Sequence, residues 1–180
     1  MNIHCLRHCL LVATPSLKDP LFSHSVIYLF SHSQSGAEGF VINKMLPISN
    51  RALFKHLRLN MPVFDCPIFI GGPLKKQQLY MIEPRPPHTK SSSSPIEISS
   101  KKDRLVKRLA NSTSTRLLLT LGYASWKGQQ LEDEISKNKW LIAPYDSSIL
   151  FDTAPQEKYS KAIALLGIES HQLTEVAGHA

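Results

Sequence analysis

The densest group of chemically capable side chains lies at the start of the chain, where His4-Cys5 and His8-Cys9 repeat at a spacing of four. On a helix that spacing stacks four soft ligands on one face, and tetrahedral zinc takes His and Cys in such sets. The segment runs straight into the apolar residues 10–13, and an extended backbone sends alternate side chains to opposite faces, so no metal site is expected. Cys66, between Asp65 and Pro67, has no cationic cluster beside it to favour a thiolate and reads as a structural thiol. The acidic run Glu132-Asp133-Glu134 contains enough carboxylates for acid–base work, but consecutive helical residues point apart, which predicts a solvated face. No G-x-S-x-G elbow occurs, and Ser125, within Gly122-Tyr-Ala-Ser-Trp-Lys-Gly128, has the wrong spacing for one. Neither glycine-rich phosphate loop is present. The residues therefore name no catalytic group, no metal and no cofactor.

Charge is more informative. Lys and Arg total 21 against 14 Asp and Glu, a formal net charge of +7. Residues 85–116 carry 8 basic and 2 acidic groups, whereas 117–180 carry 5 and 8. The basic segment opens with Pro84-Arg85-Pro86-Pro87 and continues through Lys90 to four serines, a composition that buries nothing, so a mobile basic loop is expected at about 84–102. Over 101–109, Leu105, Val106 and Leu109 fall on one helical face and Arg104, Lys107 and Arg108 on the other. Such a helix is able to neutralise the phosphates of a nucleic acid. Charge runs of this kind are more often a solvated face, and no helix-turn-helix, zinc-finger spacing or aromatic RNA-binding strand accompanies this one.

The elements that position these residues follow from apolar patterning. Strands are predicted at 10–13, 25–31, 39–43, 67–70, 79–82, 96–98, 116–121 and 140–143, the second of them continuously apolar as in a strand covered on both faces. Helices are predicted at 50–59 behind a Ser49 cap, at 101–109, at 128–138, and after Thr153-Ala-Pro155-Gln156, whose apolar stripe is Tyr159, Ala162, Ile163 and Leu166. Gly167 is the expected stop of that last helix. Gly71-Gly72-Pro73 predicts a sharp exit from the sheet. With 180 residues and 42% hydrophobic content, the chain is expected to be one α+β domain spanning 1–180. Its longest apolar runs are strand-sized, well below the roughly 18 residues of a membrane span. The run after Arg7 is too short for a signal peptide, and three cysteines are too few for a disulfide framework, so a cytoplasmic location away from any membrane is expected.

Several blocks together resemble the YqgE/AlgH family: Leu11-Val-Ala-Thr-Pro-Ser-Leu-Lys-Asp-Pro-Leu-Phe22 with Ser25-Val26, Gly36-Ala-Glu-Gly-Phe-Val-Ile-Asn-Lys44, and Gly71-Gly72-Pro73. Gly122-Tyr-Ala-Ser-Trp126 with Gln130-Leu131-Glu132, Trp140 through Pro144, Leu150-Phe151-Asp152 and Gly178-His-Ala180 extend the likeness over most of the chain except the middle loop and basic helix. The resemblance implies a single α+β domain of the bacterial cytoplasm, with a mixed, strongly curved and barrel-like sheet flanked by helices. It implies no established reaction, and one branch suggests a transcription-regulatory role. Ser125, Lys127 and Gln129 stand where small residues are usual in the family, which weakens any ligand contact by close backbone approach at this turn. Within the blocks, Asn43, Gly71, Gly72, Tyr123, Trp126 and Gln130 combine polar handles with aromatic surface, as small binding clefts do. The alternative is that Trp126 and Trp140 are core and the glycines only turn the chain. The function expected is that of a non-catalytic binding or regulatory protein, its partner a protein or a small ligand. The alternatives are a nucleic-acid binder acting through Arg104, Lys107 and Arg108, and an enzyme using His24, Asn43 and Asp152.

Overall fold

Uninterrupted apolar runs at both ends of the sequence become neighbouring strands of one sheet. The computed structural model describes residues 5–60, 67–85, 94–110 and 116–168. In chain order it contains β1 (Leu10–Ala13), β2 (Val26–Ser33), β3 (Gly36–Val41), α1 (Asn50–His56), β4 (Ile68–Ile70), β5 (Leu74–Pro84), β6 (Ile96–Ser99), α2 (Lys102–Ala110), β7 (Leu118–Lys127), α3 (Gln130–Ser136), β8 (Trp140–Ala143), α4 (Ser147–Phe151) and α5 (Lys158–Ala164). The strands lie in the order β6-β5-β7-β3-β2-β1-β8, with β4 also on β7. Every pairing is antiparallel except β4 with β7, so the sheet is mixed. It is curved, but β6 and β8 end the order without pairing to each other, so the expected barrel-like closure does not occur.

Alternation along each strand divides the core between two faces. Leu10 and Val12 of β1, Val26 and Tyr28 of β2, Phe40 of β3, Phe69 of β4 and Ile82 of β5 pack with Ile149 and Leu150 of α4 and with Ala162 and Ile163 of α5. The intervening residues turn the other way. Leu11, Ile27, Leu29, Val41 and Trp126 meet Leu131 of α3, while Ile68, Leu79, Met81 and Leu119 meet Leu53 and Phe54 of α1 and Leu105 and Leu109 of α2. Burial on both faces explains the continuous apolarity of β1 and β2.

A kink at Gly122 sets which face each later side chain of β7 takes. The sequence places a turn after residue 121, yet β7 runs on to Lys127. Leu118 faces the α4/α5 side and Leu119 the α1/α2 side, whereas beyond Gly122 it is Tyr123 that faces α4/α5 and Ala124 that faces away. Strict alternation would give the reverse, so one residue has been inserted. Gly122 absorbs it with a φ of +73°, a left-handed conformation open to glycine. The facing stretch of β5 is irregular too, because Leu74 pairs with Tyr123 but the next pair is Leu79 with Leu121. At the same place β3 and β7 separate. They pair from Gly36/Lys127 to Gly39/Ala124, after which β4 enters between them, paired to β7 on one side and bridged through Phe69 to Met45 on the other.

Other departures are local. Of the loop expected at about 84–102, residues 86–93 lie outside the described residues, and its later part forms β6. The helix expected at 50–59 stops at His56, with Arg58 at a φ of +53°. The helix predicted from 153 begins at Lys158 with Glu157 as its cap residue, and Gly167 follows it at a φ of +69°. The short α4, capped by Asp146, has no counterpart among the elements expected from patterning.

Candidate functional site

Four adjacent strands each contribute one ring to the α4/α5 side of the sheet: Tyr80 from β5, Tyr123 from β7, Phe40 from β3 and Phe30 from β2. Their contacts close a circuit. Phe30 stacks on Phe40 at 4.5 Å between centroids, Phe40 lies 5.3 Å from Tyr80, Tyr80 meets Tyr123 edge-on at 6.1 Å, and Tyr123 meets Phe30 edge-on at 6.3 Å. These separations and tilts are the favoured ones for aromatic pairs. Phe40 is fully buried and forms the floor, while Phe30, Tyr80 and Tyr123 remain half-buried and form a cup above it. Lys75 Nζ sits 5.8 Å from the Tyr123 ring, within cation–π range. Burial, then the neighbouring Tyr123 and Glu38, push the Tyr80 phenol up, so it stays protonated and donates to Gln78 Oε1 at 3.1 Å.

A second polar pair adjoins the cup along β2. Tyr28 is fully buried, edge-on to Tyr145, and its hydroxyl lies 2.6 Å from His8 Nδ1. Burial and then Arg7 lower the His8 pKa, and its buried Nε2 has no partner among the described residues. His8 adopts a φ of +69°, so residues 5–9 turn rather than form a helix. The four soft ligands of this segment accordingly do not converge. Cys5 Sγ contacts the His32 carbonyl at 3.8 Å, burial pushes the Cys9 thiol up, and His4, like Cys66, lies outside the described residues. Among the described residues no three His, Cys, Asp or Glu side chains stand together to hold a metal.

The six expected ligand-binding residues fall in four separate places. Tyr123 is in the cup. Gly71 and Gly72 lie against the β7 backbone: a Cβ on Gly71 would come 2.2 Å from the Gly122 carbonyl oxygen, and one on Gly72 would come 2.1 Å from the Tyr123 carbonyl carbon. The room that glycine leaves there is filled by the chain itself. Asn43 joins strands, accepting from Val26 N and donating to the His24 carbonyl, both at 2.8 Å. Trp126 and Gln130 are on the opposite side of the sheet and meet at Glu134. Trp126 Nε1 and Trp140 Nε1 both donate to Glu134 Oε2, at 3.0 and 2.8 Å, and Gln130 Nε2 donates to Oε1 at 3.1 Å. Phe22 packs on both indoles. The acidic run is thus not simply a solvated face, since Glu132 also bonds His32 Nε2 at 3.0 Å. The signal in the sequence is the i, i+4 spacing of Gln130 and Glu134 between two tryptophans.

The basic helix is largely neutralised by its own sheet. Arg104 pairs with Glu97 at 2.6 Å, and Arg108 pairs with Glu83, leaving Lys107 of the expected trio without an ion pair among the described residues. Glu83, Arg104, Lys107 and Arg108 line an open groove of ≈ 530 Å³ together with Lys101 and Asp103. Of the residues weighed for catalysis, Asp152 is held by Arg116 at 2.7 Å, Asn43 is held by its two backbone partners, and the exposed His24 ring leans on Tyr159 at 5.5 Å. Lys158 belongs to no sequence motif. It is 2% exposed, donates to the Leu150 carbonyl at 2.6 Å and lies 5.2 Å from the Phe69 ring. Burial lowers its pKa to about 8, with Asp152 opposing the shift. Its place four residues before Ala162 puts it on the buried stripe of α5.

An open, mixed sheet with helices on both faces and a cluster of four rings on its α4/α5 side defines a small α+β protein. The family model described as AlgH-like matches residues 10–171, and the chain belongs to that family. It is 39% identical over 182 residues to a UPF0301 protein of Paraburkholderia phymatum, covering 97% of this chain and 95% of that one. It is 37% identical over 190 residues to a UPF0301 protein of Acidovorax sp. strain JS42, covering 97% and 96%. The solution structure of the AlgH protein from Pseudomonas aeruginosa is similar with a TM-score of 0.79 and 34% identity over 100% of this chain and 98% of that one. A crystal structure from Corynebacterium diphtheriae, 20% identical with a TM-score of 0.68 over 90% and 87%, shares the fold.

Proposed function

We propose that this protein is a non-catalytic binding protein of regulatory type that engages its partner through the cup of Phe30, Tyr80 and Tyr123. The observation that carries this is the closed circuit of four rings on adjacent strands, three of them left half-buried on the face that α5 otherwise covers at β1 and β2. Partly exposed aromatic surface with a few polar handles takes ligands by contact area and orientation. Tyr80 supplies a hydroxyl, and Lys75 and Glu38 supply charge at the rim. The regulatory role rests on the family resemblance drawn from the sequence. Titration of the isotope-labelled protein with p-cresol and with indole, followed by amide chemical shifts, tests the site. Shifts centred on residues 30, 80 and 123 are expected. Shifts elsewhere, or turnover in a broad substrate screen that disappears in Asn43→Ala, would overturn the proposal.

A further inference from the structure

Resting on the cup as the binding face, we infer that its ligand is a single-stranded nucleic acid, with bases stacked on Tyr123, Tyr80 and Phe30 and phosphates held by Lys75, Lys127 and Arg7. Spacing comes first. Four strands at about 4.8 Å apart spread the rings over about 14 Å. The edge-on setting of Tyr123 against Tyr80 and Phe30 turns their faces in different directions, as splayed, unstacked bases require. An aromatic platform on a sheet reaches base faces only when they are unpaired, which selects single strands over duplex.

Charge placement is independent of the rings. Arg104, Arg108 and Arg116 are paired with carboxylates, Lys161 is paired with Glu157, and Lys158 is buried. Arg7, Lys75, Lys76 and Lys127, like Lys101, Lys102 and Lys107 around α2 and several lysines elsewhere, form no ion pair among the described residues, and the first four are exposed. Three of them border the cup. Lys75 lies over Tyr123, and Arg7 Nε donates to the Phe30 carbonyl at 3.1 Å. Alternation along β7 beyond Gly122 places Tyr123, Ser125 and Lys127 on one face, so Lys127 follows Tyr123 by about 13 Å. A cationic rim around exposed rings is the arrangement that tracks a polyanion carrying aromatic bases. Glu38, opposite Ser125 in register, lies on this face and faces base edges, whose amino groups donate to a carboxylate.

The test is fluorescence anisotropy of labelled single-stranded DNA and RNA of about 12 nucleotides, a length within the site size of one small fold, with the intact protein at low salt. Binding is expected. Tyr123→Leu weakens it about tenfold, while Tyr123→Phe, which keeps the ring, preserves it. Lys127→Ala reduces the slope of log affinity against log salt by about 0.7. Arg104→Ala with Arg108→Ala leaves affinity unchanged. No binding at low salt, equal affinity for Tyr123→Leu, or loss on changing the two α2 arginines would each overturn the inference. Shifts at the cup with p-cresol, or with a Glu/Tyr copolymer, when the oligonucleotide does not bind would sink the nucleic-acid assignment and leave the binding face standing. If none of these probes binds, both fall.

Discussion

Lys158 and Glu134 are single side chains that the packing has drawn out of water, and each gives a measurable consequence. The Lys158 ammonium is buried against Leu150 and Phe69, with its pKa lowered to about 8 from 10.5. Between those values the unfolded chain holds the proton more tightly than the folded one, so stability contributed by this group rises with pH through that window. The full difference is about 3 kcal/mol. Urea unfolding of the wild type and of Lys158→Met from about pH 7 to 10 should show the wild type gaining on the variant by an amount of that order; parallel curves would refute it. Glu134 receives both indole donors on one oxygen, and Trp126 and Trp140 are buried. Replacing it by Leu leaves two buried donors without acceptors, at about 1–3 kcal/mol each. We expect Glu134→Leu to lose at least about 2 kcal/mol, read from the urea midpoint by tryptophan fluorescence, with a loss below that counting against the double bond to one carboxylate.

At the scale of elements, the kink in β7 decides which way Tyr123 points. A Cβ on Gly122 would come 2.5 Å from the Leu74 carbonyl oxygen and 2.7 Å from that of Gly72, besides meeting a φ of +73°. Gly122→Ala should therefore cost about 2 kcal/mol or more, visible in thermal unfolding, and should shift the amide signals of Tyr123 and Tyr80. An unchanged melting temperature would mean that the bulge is not needed. Strands covered on both faces are legible in the sequence, because β1, β2 and β8 need no alternation to be recognised. The second half of β7 is not, since Gly122, Ser125 and Lys127 are turn-like residues until a bulge makes room for them. The start of β5 escapes notice because Lys75-Lys76-Gln77-Gln78 is polar and exposed. Of the cup, Tyr123 stands out in the sequence, but Phe30, Phe40 and Tyr80 are joined to it only by a strand order that departs from the chain order. Alternation along β7 puts Trp126, three residues after Tyr123, on the other face with α3 and its Gln130.

For the whole molecule, the positive charge visible in the composition is only partly free. Two of the three α2 cations singled out in the sequence are engaged by Glu83 and Glu97, while Lys107 of α2, and Arg7 and Lys75 at the cup, form no ion pair among the described residues. Among the described residues no helix is long and apolar enough to cross a membrane. The pairing of β1 with β8 has a further consequence. One edge of β1 meets β2, the next strand in the sequence, but its other edge waits for β8 at Trp140–Ala143. During synthesis on the ribosome, that edge stays bare until β8 has emerged, and a bare strand edge is a template for wrong partners. A chain released after residue 138 should therefore self-associate where the complete chain does not, as sedimentation velocity would show. A truncated chain that sediments as a monomer would mean that β1 is protected by something other than its distant neighbour, whereas aggregation makes the emergence of β8 the step that renders the nascent sheet safe.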